Sequence, residues 1–413
     1  MKNSSALLTV FLIVLIDLMG FGIVLPLLAF YGSSFNASAV QVGLLYSIYS
    51  FAQLIFSPIW GSLSDRFGRR PIILLSTFGS TLAYLVFGFS NSLWLLFLSR
   101  LIAGVMGGNI STAQAYVADV TTHEDRAKGM GLIGAAFGIG FVMGPGIAAL
   151  LIHPSFLKIA HIPIENRFAI PGFFAAALSF ASFLFAFFKL PETIQPNSRV
   201  SDNERIVRPS VFTKLFWVSI LNQKGAGIPY LFAMFMASIF LLSFSQANLY
   251  SAFPLFCKDL LNLSAQKVGM IFVYLGIIAA VIQGMLIKQL TRRFGEKKLF
   301  LIGSILMPLG FFLIPFANSE KILVYFLCVM GIGSSLNGPT LNSLISKEAD
   351  PSKVGATMGT SQGIASLGRV IGPTWGGFLY GLHYQLPFFV TALLLSITIP
   401  IGIKLCFKQA HTV

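Results

Sequence analysis

Stretches of about 20 consecutive apolar residues, parted by short polar loops, recur along the whole 413-residue chain. A helix of that length crosses a hydrocarbon core of roughly 30 Å and satisfies its own backbone hydrogen bonds, which a loop or an open strand in lipid does not. Twelve are read, at 7–30, 39–61, 71–90, 93–118, 128–152, 169–188, 229–254, 267–290, 298–317, 321–345, 354–380 and 386–406. The chain is therefore expected to be an all-α integral membrane protein with twelve transmembrane helices. Only 10% of its residues are charged, against about 25% in soluble domains, so it needs lipid as its solvent. The first run outlasts the apolar region of a signal peptide, and no A-x-A cleavage site follows it, so it reads as a retained first span.

The formal charge of +14 would suit nucleic acid if it were gathered on one face. With both termini placed in the cytoplasm, 21 of the 28 Lys and Arg instead fall in cytoplasmic segments, and Lys158, Arg167, Lys258, Lys267 and Lys321 fall on the other side. That is the positive-inside pattern, and it implies no nucleic-acid partner. The remaining two, Arg100 and Arg369, lie inside predicted helices. Cys257, Cys328 and Cys406 stand isolated in apolar sequence, without the spacing of a metal or redox site, and read as packing residues.

The polar stretch 190–227 carries Pro191, Pro196 and Pro209 and reads as a cytoplasmic linker between an N-terminal six-helix bundle, 1–189, and a C-terminal one, 228–413. Within it Val211, Phe212, Leu215, Phe216, Ile220 and Leu221 recur at near-helical spacing. They fit either a short helix in the membrane interface or the start of span seven. A shift of about 227 residues lays Asp65-Arg66-Phe67-Gly68 on Arg292-Arg293-Phe294-Gly295 and Gly144-Pro145 close to Gly372-Pro373. Gln41-Val42-Gly43 likewise falls near Lys267-Val268-Gly269. The bundles are thus read as pseudo-symmetric parallel repeats, an arrangement that implies a site between them.

The loop after span two carries Gly61, Asp65, Arg66, Gly68, Arg69, Arg70 and Pro71. Gly68 permits the chain to reverse, Pro71 suits the first turn of the next helix, and the arginines hold the loop in the cytoplasm. Topology alone explains much of this. The segment also resembles the signature loop of the major facilitator superfamily, and the repeat and linker extend that resemblance over nearly the whole chain. The resemblance implies the major facilitator fold. It further implies a conformational gate in which Asp65 and Arg69 latch the halves in the outward-facing state, with Asp119 at the end of span four as a partner.

Arg100, in Leu98-Ser99-Arg100, stands about 10 Å below the outer surface at 1.5 Å per residue. A charge there either has a partner or snorkels to the interface. Its segment resembles the arginine motif of the superfamily's proton antiporters, in which the cation is implied to tune a nearby carboxylate. Asp17, about ten residues into span one, is the only acid deep in any span. An acid whose surroundings change during transport can bind and release a proton near neutral pH. Asp17 is thus a proton-site candidate, the alternative being a structural acid bonded to neighbouring helices.

Spans five and eleven carry glycines at four-residue spacing, which puts small faces together. Gly140, Gly144 and Pro145 resemble the antiporter motif of drug:proton exporters, implied to contact the other half and to bend near Pro145. Arg369, in the outer part of span eleven, faces either a cavity or the polar interface. Tyr46, Tyr49, Gln53, Asn109, Gln114 and Gln246 are available to line a cavity, as are Asn248, Tyr250, Asn337, Asn342 and Gln362. The 41 phenylalanines would suit lipophilic or cationic solutes if some line it. Two enzyme-like strings, around Ser361 and from Gly129 to Gly134, lie in apolar helices without the preceding strand their chemistry requires. Neither an enzyme activity nor a metal or other cofactor is expected.

Asp17, the Arg100 helix and the span-five motif most resemble the twelve-span drug:proton antiporters that include the tetracycline exporters. The resemblance implies proton-driven efflux of small lipophilic or drug-like molecules by alternating access. The short tails and tight loops suit a bacterial inner membrane, the Lys and Arg distribution places both termini in the cytoplasm, and a monomer is the default expectation. Export of one metabolite or siderophore, or proton-coupled uptake of a nutrient, would use the same fold. A receptor would need a soluble domain that no loop here could form, and a channel would not need duplicated halves. Tetracycline exporters are expected to carry further acids in spans three and nine. Span three here has Thr81-Leu82-Ala83-Tyr84 and span nine has no acid, which argues against tetracycline itself.

Overall fold

The computed structural model describes residues 2–107, 109–121, 126–193, 230–349 and 354–407. The 211–221 pattern and the linker beyond 193 lie outside them. The first half runs through α1 (Lys2–Val24), α2 (Leu28–Ser34), α3 (Ala39–Phe67), α4 (Arg69–Gly88), α5 (Leu93–Met106), α6 (Asn109–Val120), α7 (Arg126–Leu151), the short α8 (Pro154–Ile159) and α9 (Ala169–Lys189). After the linker come α10 (Leu231–Asp259), α11 (Ala265–Ala280), a π-helical segment at Val281–Leu286, α12 (Ile287–Phe294) and α13 (Glu296–Leu313). The chain ends in α14 (Glu320–Glu348), α15 (Val354–Leu382), α16 (Leu386–Ser396) and α17 (Thr398–Phe407).

Eleven of these helices, taken through their short breaks, are long and apolar enough to cross a membrane. The remaining long one, α15, has 29 residues, and its Gly, Ser, Thr, Gln and Arg content lowers its hydropathy. The fold is the all-helical one expected from the apolar runs.

Several spans are broken where the sequence removes or diverts a backbone bond. Pro26 lacks an N–H, and α1 ends at Val24 before the chain turns into α2. Span four breaks at Gly107, where the carbonyls of Val105, Met106 and Gly107 are met by side chains instead. Trp60 Nε1 donates to Val105 O at 2.6 Å, Ser76 Oγ donates to Met106 O, and Gln53 Nε2 donates to Gly107 O at 2.9 Å. Pro400 withholds the N–H that would reach Ser396, and α16 gives way to α17 beside it.

The internal repeat is visible in local geometry. Gly68, between α3 and α4, has φ 106° and ψ 155°; Gly295, between α12 and α13, has φ 76° and ψ 154°. Both values lie where only glycine is at ease, which is why each half spends one there. The helix starts repeat as well: Ser38 Oγ accepts from Gln41 N at 3.3 Å, and Ser264 Oγ accepts from Lys267 N at 3.4 Å.

By contact the chain forms two compact units, one of Met1–Val200 with Phe253–Gly276, the other of Ser201–Ala252 with Ile277–Val413. In the first, α1 packs on α7 through glycines. A Cβ at Gly22 would lie 2.9 Å from Gly140 O and 3.3 Å from Pro145 Cδ, and one at Gly144 would lie 2.6 Å from Gly22 Cα. Val10, Val14, Ile73, Tyr116, Ile133 and Ala136 build the core beside this seam. In the second unit α15 packs on α10 the same way, a Cβ at Gly372 lying 2.5 Å from Phe244 O. Phe235, Phe300, Leu344 and Ile364 form that unit's core.

Candidate functional site

Asp17 lies on α1, where Ser80 Oγ of α4 donates to its Oδ1 at 3.3 Å. Tyr84, one turn further along α4, stands within electrostatic range of both Asp17 and Arg100. Gly20 makes room for it, since a Cβ there would lie 2.7 Å from the Tyr84 hydroxyl. Arg100 does not snorkel to the interface. It is 2% exposed, with its guanidinium 5.1 Å from the Phe87 ring centre and 5.9 Å from that of Tyr84. Its Nη2 is buried and has no hydrogen-bond partner. The structure thus gathers Asp17, Ser80, Tyr84 and Arg100 within the first unit. Ser80 was not singled out from the sequence, because a small hydroxyl in an apolar span carries no signal without a partner in view.

The signature turn is also built within the first unit. Arg69, buried at the start of α4, pairs with Asp65 and holds Asp119 Oδ2 through Nε at 3.0 Å. Its Nη1 donates to Ser64 Oγ at 2.6 Å. Glu192 completes the turn: its carboxylate accepts from the backbone N–H of Arg69 at 2.9 Å and of Arg70 at 3.1 Å. Those are orphan donors of a helix N-terminus, where a negative charge is favoured. Thr193 Oγ1 donates to Asp119 at 3.1 Å, and Arg70 Nη2 donates to Phe187 O at 2.7 Å. Arg66 is exposed, with its guanidinium over Phe67. Gly61 makes no close approach, the nearest atom to a Cβ there being Ser111 Oγ at 3.9 Å.

The expected cavity residues part company. Tyr46 is buried and donates to Leu25 O at 2.7 Å, closing the break after α1. Gln53 supports the break in span four, and Tyr49 lies beside it with its ring 5.0 Å from that of Phe21. Gln114 is exposed on α6, and the side chain of Asn109 lies outside the described part. Asn248 does not line the cavity of the second unit: at 1% exposure it donates to Pro387 O and Thr391 Oγ1, joining α10 to α16.

That cavity has a volume of about 190 Å³ and lies within the second unit, between α10, α13, α14 and α15. Gln246, Asn337, Asn342, Gln362 and Arg369 line it, with Ser243 and Ser334, small hydroxyls that carry no signal in an apolar span. Arg369 stands one residue beyond the midpoint of the 29-residue α15 and, of the two facings left open by the sequence, takes the one toward the cavity. Its Nη2 donates to Ser366 Oγ at 2.7 Å. Gln246 Nε2 donates to Tyr250 at 3.2 Å.

The family model described as Major Facilitator Superfamily matches residues 10–290 and 235–411. The chain is 30% identical to the class B tetracycline resistance protein of Escherichia coli, over 93% of its own length and 90% of that protein's. It is 28% identical to multidrug resistance protein 1 of Bacillus subtilis (strain 168), over 98% and 96% of the two. Among solved structures, the human organic anion transporter MFSD10 (TETRAN) superposes with a TM-score of 0.70 at 25% identity, covering 98% of this chain and 99% of that one.

Proposed function

Since the chain belongs to the Major Facilitator Superfamily and is a multi-pass membrane transporter, we propose that it exports small lipophilic or drug-like solutes by alternating access, driven by protons that bind at Asp17. The observation that carries the reading is the placement of Asp17, the one acid deep in a span, beside the hydroxyl of Ser80 with Tyr84 and Arg100 close by. A carboxylate is costly to hold in lipid unless it has partners or a task. A hydroxyl can donate to its ionised form and accept from its protonated form, so both protonation states are accommodated. The names of the relatives, tetracycline and multidrug resistance proteins, support efflux. The proton gradient is the energy source in this reading, and no cofactor is needed. The protein works as a monomer in a bacterial inner membrane with both termini in the cytoplasm.

The test is proton release from detergent-purified protein in weak buffer as a panel of lipophilic organic solutes is added. Native protein is expected to release protons saturably, Asp17→Glu to release fewer, and Asp17→Asn none. Unchanged release from Asp17→Asn would remove Asp17 from the coupling role.

A further inference from the structure

We propose that the cavity within the second unit binds the anionic group of the transported solute, a carboxylate or similar oxyanion, with Arg369 as countercharge and Asn337 as a neighbouring hydrogen-bond donor. The inference rests on the efflux reading for the solute's presence there, and adds the solute's charge.

Three observations carry it. Arg369 is the one ionisable side chain among the described lining residues. A guanidinium kept near the middle of a helix read from sequence as a span is expensive and marks a functional position. It presents five donors in a plane that matches a carboxylate, and Ser366 steadies it with one bond of 2.7 Å. Asn337, 1% exposed, has Met307 Sδ at 4.0 Å as the acceptor for its Nδ2, a weak partner, while its Oδ1 has none. The oxygen is turned onto α13, where a Cβ at Gly303 would run into it; the nitrogen lies toward Met307, itself a lining residue. An amide nitrogen with donor capacity to spare suits an oxyanion.

The remaining wall, with Ile239, Leu242 and Leu341, is apolar. The volume of about 190 Å³ is below the roughly 300–1,000 Å³ of a drug-sized pocket, so it fits one charged group with a ring or two rather than a large molecule. A cationic solute would meet an unfavourable charge here.

The experiment uses three probes with one ring system and three charges: 1-naphthoate, 1-naphthamide and 1-naphthylmethylammonium. Binding to full-length protein in neutral detergent is measured by equilibrium dialysis. Native protein is expected to bind the acid at least about tenfold tighter than the amide or the ammonium, the scale of a charge-assisted hydrogen bond. Arg369→Gln is expected to erase that preference, Arg369→Lys to keep part of it, and Asn337→Ala to weaken the acid by about three- to tenfold. Equal binding of the three probes by native protein, a preference for the ammonium, or no saturable naphthoate binding up to millimolar concentration overturns the proposal, whatever the variants do. Displacement of naphthoate by phosphatidylglycerol but not by phosphatidylcholine would also overturn it, by identifying the anion as a lipid headgroup. Asp17→Asn separates the two readings: it should lose proton release and, because proton and solute binding are linked, change its absolute naphthoate affinity, while keeping the rank order of acid over amide and ammonium that Arg369 sets. Retained proton release with intact acid preference would sink the coupling role and leave the anion site standing.

Discussion

Glu192 accepts from two consecutive backbone N–H groups at the start of α4 across a separation of 123 residues in sequence. Nothing local predicts that contact, since an acid after a span normally reads as a solvated charge. Its partners Gly68, Arg69 and Arg70 were legible because glycine, basic residues and proline at a helix junction each have a local physical reason to be there. Gly68, at φ 106°, also leaves the space the carboxylate uses. Removing the cap by Glu192→Ala is expected to cost about 1 kcal/mol, the usual worth of an N-terminal cap, and to open the turn. Tryptic cleavage after Arg66 and Arg69 in inside-out vesicles, read from fragment masses, should rise severalfold; the Arg70–Pro71 bond resists trypsin in either case. Unaltered cleavage would mean that Arg69, Asp65 and Asp119 hold the turn without it.

Helices meet in this protein where glycines let backbones touch, and the same device serves α1 on α7 and α15 on α10. The four-residue spacing was readable in the sequence, but not which glycines it served. Gly140 and Gly144 press on α1, whereas Gly134 and Gly138 have nothing within 4 Å of a Cβ position. Membrane helices withhold that information, because a face turned to lipid is as apolar as one turned to the core, so periodicity loses its sign. The same loss explains why Gln53 and Asn248 read as cavity residues, when one supports a broken carbonyl and the other joins two helices. Gly144→Val would place side-chain atoms against the Gly22 backbone and should destabilise by about 1–3 kcal/mol, as overpacking does. Gly138→Ala should be neutral or stabilising by up to about 1 kcal/mol, the helix-propensity difference. Thermal unfolding in detergent distinguishes them, and equal melting temperatures for the two variants would show that the seam is looser than its geometry.

Taken as a whole chain, the duplication kept a geometry and reversed a charge. Shifting by 227 carries Arg69 onto Glu296 and Asp119 next to Lys347, and Lys347 Nζ pairs with Glu296 Oε1 at 2.8 Å as Arg69 pairs with Asp119 at 3.0 Å. Ser343 Oγ adds a bond to Glu296 at 2.6 Å. Both pairs tie the start of one helix, α4 or α13, to the end of another, α6 or α14. They differ in which partner meets solvent: the buried member is the cation Arg69, 10% exposed, in the first and the acid Glu296, 13% exposed, in the second, where Lys347 is 66% exposed. A surface pair contributes about 0–1 kcal/mol, while truncating one partner of a buried pair strands the other and costs about 3–5 kcal/mol. Arg69 falls between these limits, since its partners Asp65 and Asp119 are 67% and 31% exposed. Lys347→Ala is therefore expected to shift the melting temperature little and Arg69→Ala to lower it clearly, by an amount equivalent to about 1–3 kcal/mol. The exchange Glu296→Lys with Lys347→Glu should restore only part of what Glu296→Lys loses, because the Glu296 side chain is 13% exposed and accepts from Ser343, a site suited to a carboxylate, whereas Lys347 faces solvent. Equal destabilisation by Arg69→Ala and Lys347→Ala would mean that the two halves are clamped alike, and that solvent exposure does not set the strength of either clamp.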